Sequence, residues 1–84
     1  MRKERWDKKA WEDYEEFKQS NKSIANKIDE LLEDIQHNPF SGLGKPKRLK
    51  GNKGWRRKIT KKDRLVYDVV DDLIIIYACR NHYE

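Results

Sequence analysis

Cysteine occurs once in these 84 residues, at Cys79. A single thiol rules out an internal disulfide and a zinc site built from several thiolates. Long apolar runs are missing too. The longest, from Leu73 to Cys79, is far shorter than the roughly 20 residues needed to cross a bilayer. Met1-Arg2-Lys3-Glu4-Arg5 leads into no apolar segment, so no secretory signal is expected, and a reduced cytoplasm suits the lone thiol. Apolar residues make up only 36% of the chain, so the core of this one expected domain, residues 1–84, must be small. Help from a dimer or a tight partner would be unsurprising. Repeats and low-complexity segments are absent. The charged fraction is 42%, yet apolar periodicity is clear, which argues against general disorder.

Acidic residues are nearly missing from one stretch. Lys45 to Arg64 holds 11 of the 20 Lys and Arg residues and one acid, Asp63, a local charge of +10. Residues 1–37 sum to −2 and residues 65–84 to −3, so the net +5 of the chain is local. A field of one sign attracts polyanions, phosphate backbones first among them. No carboxylate cluster stands in or near this window, which argues against a built-in Mg²⁺ site.

The pattern of elements is readable. Residues 2–6 suit a short edge strand. Asp7 can cap a helix on which Trp11, Tyr14 and Phe17 fall at helical spacing, with Glu12, Asp13, Glu15 and Glu16 outward. Ser20-Asn21 breaks the chain. Ile24, Ile28, Leu31, Leu32 and Ile35 mark a second amphipathic helix that ends before Pro39. So short a turn predicts an antiparallel helical hairpin. Both prolines and all four glycines lie between 39 and 54, which reads as loop with a brief strand at Arg48-Leu49-Lys50. Trp55, Arg57 and Ile59 then alternate with Arg56, Lys58 and Thr60. Leu65, Tyr67 and Val69 alternate with Val66, Asp68 and Val70. Asp71-Asp72 turns the chain into Leu73–Cys79, expected to be the central strand. The fold class is α+β, a helical hairpin packed on a small twisted antiparallel sheet.

Each signal has a plainer reading beside it. A basic run is often only a solvated surface. Here the bases alternate with apolar residues on strands, which favours a polyanion-binding face. His82 and Tyr83 at the chain end could simply be frayed, but imidazole exchanges protons near neutral pH and a tyrosine can stack. His37 suits the dipole at a helix end, and Cys79 reads as an inert core residue.

Four segments, in order and along nearly the whole chain, carry a resemblance. They are Trp11-Glu-Asp-Tyr14, Asn38-Pro-Phe-Ser-Gly-Leu-Gly-Lys-Pro46, Arg64-Leu-Val-Tyr67 and Cys79-Arg-Asn-His-Tyr83. Together they resemble the YoeB/Txe toxins of bacterial toxin–antitoxin modules. The resemblance implies a RelE-like, microbial-ribonuclease type of fold and an mRNA endonuclease acting in the ribosomal A site. It also implies a cognate YefM-like antitoxin and dimers, and no cofactor. By matching position, Arg64 is implied at the phosphorane-like transition state, His82 as general acid on the leaving 5′-oxygen and Tyr83 as an orienting group. Lys50 is implied at the phosphate and Trp55 as an aromatic of the loop-to-strand region. Lys45, Arg48, Arg57 and Lys58 complete the expected RNA-binding set.

Two site positions depart from the pattern. Lys47 stands where the family has a glutamate proposed as general base, so lysine must take that role or the site is impaired. Arg57-Lys58 replaces an Arg-Arg pair, exchanging a bidentate donor for a point charge. The loop before Trp55 is slightly shorter, and Glu84 extends the end. The competing reading is a non-catalytic RNA- or ribosome-binding module of the same fold. A DNA-binding repressor ranks last, since both helices carry acids balancing their bases.

Overall fold

A computed structural model describes residues 1–80. His82 and Tyr83 lie outside the described residues. The order is β1 (Lys3–Trp6), α1 (Lys8–Ser20), α2 (Lys22–His37), β2 (Lys47–Arg48), a 3₁₀ turn (Lys50–Asn52), β3 (Trp55–Lys58), β4 (Arg64–Val70) and β5 (Leu73–Ala78). Asp7 caps α1, its carboxylate accepting from the Lys9 amide at 3.1 Å. Asn21 ends one helix and begins the next. Its amide donates to the Phe17 carbonyl at 2.7 Å, and its own carbonyl accepts from Ile24 and Ala25. The Tyr14 hydroxyl donates to Asp29 at 2.6 Å and ties the two helices together.

The five strands form one sheet in the order β1-β5-β4-β3-β2. The three C-terminal pairings are antiparallel, but β1 runs parallel to β5, with Lys3 opposite Leu73 and Trp6 opposite Ile76. The sheet is therefore mixed where a wholly antiparallel one is expected from the sequence. Turn residues betray hairpins between neighbours in sequence, but pairing between chain ends leaves no local signal. The same topology makes β4 the middle strand, with β5 beside it.

The helices cover one face. Ala25, Ile28, Leu31, Leu32 and Ile35 of α2 and Ala10 and Phe17 of α1 pack on Leu65, Tyr67, Ile74 and Ile76. Two expectations for α1 change. Trp11 is 44% exposed, whereas Asp13 is buried, because Lys9 and Arg80 meet its carboxylate at 2.8 and 3.3 Å. Arg80 also pairs with Glu16 and lies 4.8 Å from the Phe17 ring centroid, pinning the end of β5 to α1. Cys79 is buried, as expected, and its thiol is pushed up to about 12 by burial and by Asp13.

Candidate functional site

Strand register divides the expected site residues between two faces. Successive side chains alternate across a sheet. On β3, Trp55 and Arg57 point to the helix side, so Arg56 and Lys58 point to the open side. Lys47 pairs with Arg56, and Lys58 pairs with Arg64. Four cations therefore share the open face as two cross-strand pairs. Lys47 and Lys58 are exposed, and Arg56 and Arg64 are half-buried. Directly opposed side chains on one face are near neighbours, and like charges there are costly. Such an arrangement is stabilised by an anion from outside.

Arg64 is partly committed already. Its Nη1 donates to the Thr60 carbonyl at 2.7 Å and to the Asp63 carbonyl at 3.1 Å. Those bonds hold one edge of the guanidinium on the β3–β4 turn, and the rest of the fork keeps its donors. Asp63, the one acid of the basic window, is 3% exposed and accepts from Thr60 Oγ1 at 2.9 Å.

Arg48 and Trp55 lie on the other face. The Arg48 guanidinium sits 5.8 Å from the Trp55 ring centroid, and the exposed Phe40 ring stacks on Trp55 at 4.9 Å with planes tilted 31°. Lys45, with φ +52, and Lys50, which opens the 3₁₀ turn, are exposed on the connecting loop.

Arg57 lies apart from the cations of the open face. It is 0% exposed, and its five N–H donors all find acceptors within the protein. Nε donates to the Tyr67 hydroxyl at 3.1 Å. Nη1 donates to Asp34 at 2.5 Å and to the Leu43 carbonyl at 3.0 Å. Nη2 donates to the carbonyls of Asn38 at 2.5 Å and Ser41 at 2.7 Å. The Tyr67 hydroxyl in turn donates to the Pro39 carbonyl at 2.7 Å. Desolvation raises the Tyr67 pKa, so the phenol stays protonated and able to donate. Arg57 is thus a clamp on residues 38–43, the segment that leads into the basic loop.

The loop is then passed to the sheet at Gly44, whose carbonyl accepts from the Lys58 amide at 2.7 Å. Gly44 has φ +77, and a Cβ there would lie 2.9 Å from Leu31 Cδ2 and 3.1 Å from the Lys58 carbonyl. Gly44→Ala should lower stability by about 1–3 kcal/mol through strain and crowding together. Urea unfolding would read this as a lower midpoint at an unchanged slope.

Sequence reasoning missed Arg56 and Phe40. Arg56 was legible from alternation, since it shares the parity of Lys58. Phe40 had no signal beyond its place in the loop.

The family model for the YoeB-like toxin of bacterial type II toxin–antitoxin systems matches residues 6–83. This chain belongs to the YoeB toxin family. Toxin YoeB of Escherichia coli strain K12 is 46% identical over 80 residues, covering 93% of this chain and 95% of that protein. Toxin YoeB of Synechocystis is 40% identical over 77 residues, covering 89% and 90%. Among solved structures, a YoeB dimer from Staphylococcus aureus superposes with a TM-score of 0.91 at 40% identity, covering 98% of each chain. A YoeB–YefM complex from the same organism gives 0.90 at 41%, covering 99% of each. The YoeB fold extends further. An Escherichia coli DinJ–YafQ complex shares it with a TM-score of 0.78 at 16% identity, covering 98% of this chain and 94% of that one.

Proposed function

We propose that this chain is an endoribonuclease that cuts mRNA in the ribosomal A site and so stops translation. A cognate YefM-like antitoxin would neutralise it. The observation that carries the reading is the pairing of Lys47 with Arg56 and of Lys58 with Arg64 on one open face of a YoeB-family fold.

The chemistry follows from RNA's own nucleophile. The ribose 2′-oxygen attacks the adjacent phosphorus as the bond to the 5′-oxygen breaks. The products are a 2′,3′-cyclic phosphate and a free 5′-hydroxyl. DNA lacks this nucleophile, so it is not a substrate. Lys47 takes the proton from the 2′-hydroxyl. His82 gives one to the departing 5′-oxygen. Charge gathers on the non-bridging oxygens, and the free donors of Arg64 with the ammonium groups of Lys58 and Lys50 face it. Tyr83 orients the nucleotide. Trp55 with Arg48 offers a stacking surface for a neighbouring base.

The test is cleavage of a defined message on programmed ribosomes, mapped by primer extension. Wild type should cut within the A-site codon, and His82→Ala should cut at least about a hundredfold more slowly while binding as well. Binding by both with cleavage by neither would replace the enzyme by a binding module of the same fold.

A further inference from the structure

Arg56 stands apart from the other arginines of the basic window and from Arg80. Arg57 is saturated, Arg80 is paired with two acids, Arg64 is held on its turn and Arg48 lies over Trp55. Arg56 is half-buried on the open face. Among the described residues it has no ion-pair or hydrogen-bond partner for its guanidinium. The acid on the same face of β4, Asp68, is turned back to accept from the Val69 amide at 2.8 Å. A guanidinium partly withdrawn from water, facing a lysine and lacking an acceptor, is a poor arrangement for stability alone. It is a good one for receiving an oxyanion in fork geometry.

Its position says which oxyanion. Arg56 and Lys58 are two residues apart on one strand face, about 6.5 Å by strand rise. That is near the spacing of successive phosphates along a single RNA strand. The Lys58–Arg64 pair takes the scissile phosphate under the proposed nuclease reading, on which this inference rests. Lys47, across from Arg56, must reach the 2′-oxygen that attacks. That oxygen belongs to the ribose between the scissile phosphate and the phosphate on its 5′ side. We infer that Arg56 binds the phosphate immediately 5′ of the attacking ribose. It fixes that ribose between two held phosphates and restores to the open face the guanidinium fork that Lys58 lacks.

The experiment is a cycle of two changes on programmed ribosomes. One is Arg56→Ala. The other is a synthetic message with a neutral methylphosphonate at that 5′ linkage, its upstream ribose 2′-O-methylated. On the unmodified message Arg56→Ala should raise the toxin concentration for half-maximal cutting about tenfold, with the saturating rate near wild type. The neutral linkage should impose a similar loss on wild type and almost none on Arg56→Ala. Arg56→Lys, which keeps charge without the fork, should fall between. Thermal unfolding confirms that the variants are folded. An unchanged half-maximal concentration in Arg56→Ala would overturn the assignment. So would an equal loss on both messages, which would place Arg56 on some other group. Failure of wild type to cut the unmodified message sinks the nuclease reading instead. The same cycle read as binding affinity then decides Arg56, by the same two outcomes.

Discussion

Arg57→Ala should bring the protein to the edge of unfolding, a loss of about 3–5 kcal/mol. The variant would take from Asp34, the Tyr67 hydroxyl and three loop carbonyls the donors that a guanidinium now gives them, and leave an empty volume among them. Small domains hold only about 5–15 kcal/mol in total. Arg57→Lys should recover little, because an ammonium has three donors and cannot span five acceptors. The clamp also predicts acid sensitivity. The hydrogen bond from Arg57 is the chief reason that the Asp34 carboxyl is held below its ordinary 3.8. A depressed folded value means that this stability is fully present above the unfolded carboxylate range. It is lost as pH falls through that range toward the folded value. Urea midpoints measured from neutral pH down to pH 3 should fall steeply at the acid end in wild type. In Arg57→Ala, the part of that slope due to Asp34 should shrink, leaving what the Leu43 amide and the Asn38 side chain still supply. A variant as stable as wild type would show that the loop is held by something else.

Arg64→Lys should reduce single-turnover cleavage by about a hundred- to a thousandfold, with a stability change too small to explain it. Two features of the arginine are lost together. One edge of its guanidinium is spent on the Thr60 and Asp63 carbonyls, which fixes the direction of the other. Lysine can keep the charge but cannot bond the turn and a phosphate oxygen at once in fixed geometry. Under the proposed nuclease reading most of the loss should lie in the saturating rate rather than in the half-maximal concentration, because preorganised donors would act on charge that develops during the reaction. The reverse split would make Arg64 a binding group.

Much of this structure was written in local patterns. The spacing of Ile24, Ile28, Leu31, Leu32 and Ile35 specified α2 and the face it buries. Alternation specified β3 and β4, and Asp71-Asp72 their continuation into β5. The family resemblance covered the chain and its membership is shown. What escaped was decided by distant partners. Alternation alone puts Arg57 inward with Trp55 and Ile59, but a charge among ten other bases reads as surface. Its burial depends on acceptors from residues 34 to 43 and from Tyr67, which converge only in the folded chain. Asp13 is the same case at smaller scale, hidden because Arg80, 67 residues away, reaches back to it. The parallel partnership of β1 with β5 left no trace in either segment.

That last pairing has a consequence for how the protein is made. The first strand waits for residues 73–76 before it can find its place, and the middle of the sheet is finished only with β5. Synthesis proceeds from the N-terminus at a few residues per second, and contacts of such long separation form late. A growing chain can fold its helical hairpin early, but it cannot join β1 to the rest of the sheet until β5 has emerged. A chain whose synthesis stops before residue 73 therefore keeps its helical hairpin but leaves β1 and β4 each without the strand that lies between them.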